Sequence, residues 1–334
     1  MSAGNEFVSV VVPVRNEVEY VRRCLDSVLN QDYPRDKYEV RVVDGMSTDG
    51  TRDILKEYQK ADARVRVLDN PQKITPVALN IGIRNSKGGV IIRVDGHAEI
   101  AEDYISQCIH QLNATGADCV GGSIKTVGYG PIGLAVSEVM SSSVGVGNSL
   151  FRVSGEERYV DTLPFGAYRR EVFDKIGFFD ESLVRDQDEE LNYRMVDHEL
   201  RIFLTPKIRS LYYCRTSLRK LFHQYFGYGL FKPAVLVRHP SRIRLRYLIP
   251  PLLVLALLIL LTATVLNPFA ALPLISLVFV YLVYVLTASV FLSLKNGLSR
   301  LPVYPLVLLM IHLGYGLGFI TGLIKLAVGV IADG

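Results

Sequence analysis

The 334-residue chain is poor in the residues that build disulfide or zinc scaffolds. It contains four cysteines, and no two of them have C-x-x-C spacing. A disulfide framework and a structural zinc site are therefore not indicated, and reduced thiols in a cytoplasmic domain are the simple interpretation. We also expect no secretory leader, because the first apolar run, residues 7–14, is short and Arg15 follows it at once.

Charge is almost missing from residues 248–331, where Lys295, Arg300 and Lys325 are the only formally charged side chains. A helix needs about 20 apolar residues to cross the hydrocarbon core of a bilayer. The runs in this part of the chain are that long, so we predict a transmembrane region over residues 248–334. We expect three spans, at about residues 248–267, 269–294 and 302–331.

The zone before these runs, residues 216–247, mixes basic and aromatic side chains. Such mixing suits a nucleic-acid surface, and it equally suits an amphipathic segment on an anionic membrane. The apolar runs that follow favour the membrane, so we predict interfacial amphipathic helices, contacts with membrane lipids and no nucleic-acid partner.

The basic residues also predict an orientation. Positive charge flanks the cytoplasmic ends of membrane spans. Arg242, Arg244 and Arg246 precede the first span, while Lys295 and Arg300 follow the second. We therefore expect a multi-pass protein of the cell inner (cytoplasmic) membrane, with its N-terminal domain in the cytoplasm. In the third span, a glycine at every fourth position favours close helix packing; these glycines are Gly314, Gly318 and Gly322.

Residues 1–215 alternate apolar and polar segments in the manner of a soluble α/β domain. Strands separated by helices with short links predict a parallel sheet with right-handed crossovers. Residues 122–160 are rich in Gly and Ser, and we expect loops there. The expected strands are residues 7–14, 38–44, 64–70 and 88–95, and the main expected helices are 17–29, 51–60, 75–85 and 184–196.

Two of the expected strands end in an aspartate followed by glycine, Asp44-Gly45 and Asp95-Gly96. Ligands bind outside the carboxyl ends of the strands in such sheets. An Asp-Gly pair is also a common turn. Two such pairs at one edge of one sheet favour a binding site, and "VDGH" would then deliver a carboxylate and an imidazole to a metal ion.

Five motifs occur in an order that carries more information than any one of them: "VVPVRNE", "VVDGMSTDGT", "RVDGH", "FGAYRREVF" and "QDEELNYR". Together they resemble the family 2 glycosyltransferases with the GT-A fold, over roughly residues 6–215. With the membrane tail, the chain is most similar to bacterial enzymes that assemble exopolysaccharide repeat units on a lipid carrier, including the succinoglycan type. The resemblance implies a Rossmann-like, mostly parallel central sheet and a nucleotide-sugar donor, which we expect to be UDP-linked.

The resemblance assigns metal and donor binding to the strand ends. Asp95 matches the first position of the family's D-x-D motif, and His97 stands where the family has a second carboxylate. We expect Mg²⁺ or Mn²⁺, since a divalent cation stabilises the charge of a departing diphosphate. His97 is a direct metal ligand, orders a metal-bound water, or only caps the next helix.

The nucleotide pocket follows in the same way. Asp44 resembles the family residue that hydrogen-bonds the base or ribose, and Pro13, Arg15 and Glu17 match the loop that lines the same pocket. Lys73 is interpreted as a solvated lysine.

Removal of a proton from the acceptor hydroxyl requires a base. The family's E-D-x-D/E-L-x-x-R frame matches residues 187–194, and it puts Asp188 in the base position. Gln187 replaces the family's first glutamate. The alternative is that the acidic residues only favour the positive end of a helix; Asp186, Glu189 and Glu190 are the competitors for the role.

Tryptophan is absent from the chain. Processive synthases of the cellulose and hyaluronan type carry a Q-x-x-R-W motif after the base, so its absence favours transfer of one sugar. We predict inverting, metal-dependent transfer to a membrane-embedded, polyprenyl-diphosphate-linked acceptor in polysaccharide biosynthesis. The alternatives are a transferase that uses the lipid phosphate itself as acceptor, and a non-catalytic scaffold of a polysaccharide complex. A homo-oligomer is compatible with the sequence, and His312 is given no role.

Overall fold

The computed structural model describes residues 6–146 and 155–330. The chain divides into two compact units, Met1–Lys125 with Leu150–Tyr213, and Thr126–Ser149 with Cys214–Gly334. The described helices in chain order are α1 (Val21–Leu29), α2 (Thr51–Ala61), α3 (Thr75–Arg84), α4 (Tyr104–Thr115), α5 (Gly130–Met140), α6 (Ser143–Val146), α7 (Arg170–Ile176), α8 (Gln187–Asp197), α9 (Leu218–Arg238), α10 (Leu245–Leu266), α11 (Ala271–Asn296) and α12 (Tyr304–Ala327).

The first unit is built on a nine-stranded sheet with the order β3-β2-β1-β4-β8-β6-β9-β5, and β7 pairs with β9. The first four strands of that order run parallel to one another. The strands are β1 (Val8–Val14), β2 (Tyr38–Asp44), β3 (Val65–Asp69), β4 (Val90–Arg93), β5 (Ala98–Ile100), β6 (Cys119–Val127), β7 (Arg158–Val160), β8 (Ala167–Arg169) and β9 (Ile202–Tyr213).

The parallel strands form where continuous β-branched runs were found in the sequence, and the prediction of a parallel α/β core is confirmed. All of β2 and β4 is buried, as is β1 apart from Pro13. Burial on both faces explains why these strands are continuously apolar rather than alternating. Their carboxyl ends define one edge of the sheet.

The remaining strands make the sheet mixed. β8 pairs antiparallel with both β4 and β6, and β9 pairs antiparallel with β5 and β7. The expectation of loops over residues 122–160 is wrong for the described part of that range, which contains most of β6, helices α5 and α6, and β7. Residues 147–154 lie outside the described residues. Small residues misled the interpretation because Gly121 and Gly122 lie within β6, where Ile208 of β9 leaves no room for a Cβ at Gly122.

Helix α1 begins later than its periodicity suggests. Val21, Cys24, Leu25 and Val28 form its buried face. Val18 lies in the loop before the helix and is exposed. Its backbone N–H donates to Oδ2 of Asp49, a residue between β2 and α2 (3.2 Å). A loop that makes its own hydrogen bonds has replaced the first helical turn.

The second unit contains the three long apolar helices α10, α11 and α12. Each is long and apolar enough to cross a membrane, as the three predicted spans require. Their bounds differ from the predicted ones by a few residues: α10 begins at Leu245, α11 ends at Asn296, and α12 ends at Ala327.

Helix α9 occupies most of the predicted interfacial segment, and one side of it packs along α12. A Cβ added at Gly314, Gly318 or Gly322 would lie within 3 Å of a backbone oxygen of α9. Gly229 of α9 approaches the Tyr315 carbonyl in the same way. The predicted close packing at the α12 glycines is therefore confirmed, and its partner is α9.

Helix α5 is fixed within the second unit by a carboxylate. Glu138 accepts hydrogen bonds from Arg300 Nε (2.9 Å) and from the Tyr304 hydroxyl (2.6 Å). Arg300 lies between α11 and α12, so this pair connects α5 to the link between two apolar helices. A partly buried Arg–carboxylate pair with a tyrosine donor is a stronger contact than an exposed surface pair.

Candidate active site

The carboxyl ends of β1, β2 and β4 bring most of the sequence-predicted residues to one edge of the sheet. Pro13 pairs in register with Val43, and Val14 with Asp44. The N–H of Gly45 donates to the Val14 carbonyl (2.8 Å), which continues the contact beyond the strands. The loops after these strands therefore start from a rigid base.

Asp44 ends β2 and is completely buried. Its Oδ1 accepts from the Ser47 hydroxyl (2.5 Å), and its Oδ2 lies 3.1 Å from Arg52 Nη1. Arg52 also contacts Asp69 (2.7 Å), and its side chain is 32% exposed. Contact between Asp44 and a nucleotide would require Ser47 or Arg52 to move, and Arg52 is the most exposed of the three.

Ser47, in the segment between β2 and α2, connects two loops of this edge. The residue before α2 is Gly50, without a side-chain cap, so Ser47 does not cap that helix. The Ser47 hydroxyl donates to Asp44 and accepts from the N–H of Asn16 (2.9 Å). Ser47 thus ties the loop after β1 to the loop after β2.

The loop after β1 carries Arg15 and Glu17 in different environments. The Glu17 N–H donates to Thr51 Oγ1 (2.9 Å), and its carboxylate points to His97. Arg15 is exposed, and its Nη1 donates to the Lys73 carbonyl (3.3 Å). Glu17 is therefore held inside the edge, while Arg15 lies at its rim.

Glycine separates Asp95 from His97 because the backbone there touches β1. A Cβ at Gly96 would lie 3.0 Å from Val14 Cγ2 and 3.3 Å from the Pro13 carbonyl oxygen. His97 Nδ1 lies 3.0 Å from Glu17 Oε1, and the ring packs edge-on against Tyr212 with 5.0 Å between centroids. The contact to Glu17 orients the imidazole, as carboxylates do for histidines at metal sites.

Arg93, the last residue of β4, joins the two halves of the site. Its Nη2 lies 2.8 Å from Asp95 Oδ1, and its Nη1 contacts Asp188 Oδ1. Burial raises the pKa of the Asp188 carboxyl above its ordinary value, although the Arg93 charge opposes that rise. Burial acts in the same direction on Asp95, but there Arg93 and His97 outweigh it, and the pKa of Asp95 is lowered.

The competing carboxylates of α8 have other contacts. Glu190 is buried and pairs with Arg194 through two contacts of 2.8 Å. Arg194 also donates to the Phe178 carbonyl (2.9 Å), so this pair fixes α8 to the segment after α7. Glu189 accepts from the Tyr193 hydroxyl. Asp186 precedes the helix in a left-handed conformation.

Of the α8 carboxylates, Asp188 is the one that shares a partner with Asp95. The carboxylate shares the Arg93 guanidinium with Asp95, and its side chain is 23% exposed. A carboxylate that is buried enough to have a raised pKa, and open enough to be reached, has the properties of a general base.

The donor set at Asp95 and His97 fits a divalent ion that other ligands complete. Within residues 6–146 and 155–330, no group of three or more His, Cys, Asp or Glu side chains is placed to hold an ion. Arg93 contacts one oxygen of Asp95, and Glu17 contacts one nitrogen of His97. Each side chain has a second ligand atom, and Mg²⁺ commonly takes one or two protein ligands beside substrate phosphates and water.

Sequence reasoning assigned no role to Arg93 or Arg52. The signal for Arg93 was present, because an arginine interrupts the otherwise apolar run of β4. A buried charge in a core strand needs a partner. The partner, Asp188, lies far along the chain, and only the fold brings the two together.

Comparisons with known proteins agree with this architecture. Residues 9–177 match the model of the family described as glycosyl transferase family 2. The chain is 32% identical over 243 residues to the succinoglycan biosynthesis protein ExoA of Rhizobium meliloti (strain 1021), covering 72% of this chain and 73% of that protein.

A second relative is similar over nearly the whole chain. It is a dolichyl N-acetyl-α-D-glucosaminyl phosphate 3-β-D-2,3-diacetamido-2,3-dideoxy-β-D-glucuronosyltransferase of Methanococcus voltae. The identity is 29% over 334 residues, covering 96% of this chain and 98% of that protein. The similarity therefore includes the region of the three apolar helices.

Solved structures show the same fold at low identity. S. aureus TarS 1–349 in complex with UDP-GlcNAc matches with a TM-score of 0.52 and 19% identity, covering 70% of this chain and 67% of that chain. GalNAc-T7 with UDP, GalNAc and Mn²⁺ matches with a TM-score of 0.51 and 19% identity, covering 70% and 50%. These likenesses confirm the predicted GT-A fold of the sheet-containing domain.

Proposed function

The chain belongs to glycosyltransferase family 2, and on that premise we propose that it transfers a single sugar, with inversion, from a UDP-linked donor to a membrane-embedded, polyprenyl-diphosphate-linked acceptor. The product would be an intermediate of polysaccharide biosynthesis. The observation that carries the proposal is the pair of carboxylates, Asp95 and Asp188, that share Arg93 at the carboxyl edge of the sheet.

In the proposed reaction, Asp188 acts on the acceptor and Asp95 acts on the donor. Asp188 takes the proton of the acceptor hydroxyl as the acceptor oxygen bonds to the anomeric carbon. The bond from that carbon to the diphosphate breaks, and its electron pair leaves with the nucleoside diphosphate. Attack from the face opposite the leaving group inverts the anomeric configuration.

The donor is held at the ends of β1, β2 and β4. We assign Pro13, Arg15, Glu17 and Asp44 to the nucleotide pocket, with Arg52 as the exposed partner of Asp44. Asp95 and His97 would hold Mg²⁺ or Mn²⁺ beside the diphosphate. A divalent cation bound there would stabilise the negative charge of the leaving group.

The lipid-linked acceptor is supported by the second unit and by one relative. Three helices have the length and apolarity of membrane spans. The Methanococcus voltae relative, which matches over this region too, is named for a dolichyl-linked sugar phosphate. We assign the basic residues before the first span, Arg242, Arg244 and Arg246, to contact the carrier's phosphates and anionic headgroups.

The experiment incubates membranes containing the protein with a panel of radiolabelled sugar nucleotides, followed by lipid extraction. We expect label from a UDP-sugar in the organic phase, and its release by mild acid. Replacement of the three arginines by glutamine should raise KM for the lipid acceptor more than KM for the donor. Label found only in a water-soluble glycan, with the triple variant unaffected, would defeat the lipid acceptor.

The same preparation tests the lipid phosphate as an alternative acceptor. A phosphate is already ionised and needs no base, so full activity of Asp188→Asn would favour it.

We also propose that the sheet-containing domain lies on the cytoplasmic side of the inner membrane. The support is the basic flanks of the first two spans. All four native cysteines are buried. Single cysteines introduced at exposed positions can therefore be labelled with a membrane-impermeant reagent in intact cells. Protection of Lys60→Cys, and labelling only after permeabilisation, is the expected result; labelling in intact cells would reverse the orientation.

A further inference from the structure

Arg93 makes buried contacts to which the proposed reaction assigns no role. Its side chain is 6% exposed, and one guanidinium contacts carboxylates from two distant elements, the end of β4 and the start of α8. The guanidinium carbon also lies 5.8 Å from the centroid of the Phe165 ring. Arg93 is therefore held on three sides by groups from different parts of the first unit.

The choice of arginine suits this position. A guanidinium presents several N–H donors in a rigid plane and can bind two carboxylates at once, whereas a lysine ammonium acts as a compact point charge. Removal of the cation would leave two partly buried carboxylates beside each other, and like charges in that situation repel. The guanidinium thus determines the separation of Asp95 and Asp188.

We propose that Arg93 is a positioning residue for sugar transfer, which holds the base Asp188 in a fixed relation to the donor-side carboxylate Asp95. Arg93 touches no reacting atom and acts through Asp188. This inference rests on the proposed function, because it takes the roles of Asp95 and Asp188 from there.

The electrostatics of the pair support this role. Burial raises the pKa of Asp188, and the Arg93 charge opposes the rise. Arg93 therefore favours the ionised carboxylate, which is the form that accepts a proton. A general base needs correct placement first and a suitable pKa second, and one side chain supplies both here.

The first test is the conservative variant Arg93→Lys, which keeps the charge and most of the volume. We expect a Tm close to that of the wild type and a Kd for UDP, measured by titration calorimetry, within about twofold. We expect kcat to fall by roughly 10- to 100-fold, the effect of misplacing a catalytic group by about 1 Å. Wild-type kcat in Arg93→Lys would overturn the proposal.

The second test is a double-mutant cycle on kcat, because residues that act as a unit are not additive. Arg93→Gln should lower kcat strongly in the wild-type background. In the Asp188→Asn background it should lower kcat by less than about twofold, since the group through which it acts is already lost. If the two substitutions lower kcat by factors that multiply in the double variant, Arg93 does not act through Asp188, and the proposal is overturned.

Arg41→Gln serves as the matched control in the same cycle. Arg41 is also buried and pairs with a carboxylate, but not with Asp188. It lies on β2, which is parallel to β4 and separated from it by β1. Its effect on kcat should be equally small in both backgrounds. If Arg41→Gln and Asp188→Asn were as non-additive in kcat as Arg93→Gln and Asp188→Asn, the effect would follow from the loss of any buried charge. It would then not be specific to Arg93.

The cycle also separates this inference from the proposed function. Near-normal turnover of Asp188→Asn would remove the base assignment, and the role of Arg93 would be lost with it. If Asp188→Asn has low turnover and Arg93→Gln lowers kcat by the same factor in both backgrounds, Asp188 remains the proposed base. Only the positioning role of Arg93 would then be rejected.

Discussion

Two buried arginine–carboxylate pairs of the parallel sheet serve different purposes. Val11 of β1 is in register with Arg41 of β2 on one side and with Arg93 of β4 on the other. Both arginines are buried and both contact carboxylates. Arg41 pairs with Glu39 at the amino end, and Arg93 pairs with Asp95 at the carboxyl end.

The difference lies in what else the carboxylates contact. Glu39 accepts from the Ser9 hydroxyl (2.8 Å) and from the N–H of Lys87 (2.7 Å), while Arg41 Nε donates to the Asn85 carbonyl (2.7 Å). This network is completed by the chain's own backbone. A buried pair whose hydrogen bonds are satisfied in this way contributes to a defined fold.

At the carboxyl end, one guanidinium serves two carboxylates, and both of these remain partly exposed. Both lie near the carboxyl ends of the parallel strands, where ligands bind in sheets of this kind. The comparison teaches that burial and pairing of charge do not by themselves mark a functional site. The set that we propose as functional differs in that one guanidinium is shared by two partly exposed carboxylates at the carboxyl edge.

The largest expected difference between the two ion pairs is in the variants Asp188→Asn and Glu39→Gln. Asn keeps the size of Asp188 but accepts no proton, so kcat should fall by about 100- to 10,000-fold. The Kd for UDP should stay nearly unchanged. Glu39→Gln should lower Tm and leave kcat of the folded protein close to normal. Near-normal turnover of Asp188→Asn would transfer the base role to Asp186, Glu189 or Glu190.

The second test removes the donor-side carboxylate or the ion that it is proposed to hold. Asp95→Ala should lower kcat/KM by about 100-fold or more, because a group that stabilises developing charge is lost. Dialysis against EDTA should have a comparable effect, and Mg²⁺ or Mn²⁺ should reverse it. Full turnover in excess EDTA would contradict metal dependence. Asp95 would then have a role only in binding the donor.

The third test addresses the amino end, where stability should change without activity. Arg41→Gln leaves Glu39 buried without its cation, and breaking a buried pair costs about 3–5 kcal/mol in the free energy of unfolding. We expect a lower Tm in detergent, measured by intrinsic fluorescence, and kcat within about twofold of the wild type at a temperature where the variant is folded. A large loss of kcat at full folding would place Arg41 in the active site.

The smallest expected effect is on the pH dependence of kcat/KM. Asp188 must be ionised to accept a proton, so activity should fall as the pH falls through its pKa. Burial raises that pKa, and the midpoint of the acid limb should therefore lie above the ordinary aspartate value of about 3.9. Glu39→Gln should leave the midpoint in place. A midpoint at or below the ordinary value would contradict a raised pKa.

Much of the carboxyl edge could be predicted from local sequence. The valine-rich runs gave the parallel strands, and an Asp-Gly pair after two of them put Asp44 and Asp95 at one edge. These predictions succeeded because strand period, burial and turn chemistry are local properties. The place of Asp188 came from a family motif, and the structure adds its contact with Arg93.

The remaining features depend on contacts between distant segments. The glycines of β6 resembled a loop because the sequence does not show their close neighbours, Leu163 at Gly121 and Ile208 of β9 at Gly122. Asp44 looked like an open ligand, but Ser47 and Arg52 enclose it. The basic-aromatic helix α9 looked like a surface element, although one of its sides is used by α12.

The glycine contacts between α9 and α12 have a consequence for how the protein is made. Helix α9 leaves the ribosome first, and both α10 and α11 follow before its partner is synthesised. Gly229 approaches the Tyr315 carbonyl so closely that a Cβ at this position would clash with α12. This side of α9 can therefore be covered by α12 only after α10, α11 and α12 have all been synthesised. A chain that stops before Tyr304 would lack α12 and would leave the glycine-packed side of α9 uncovered.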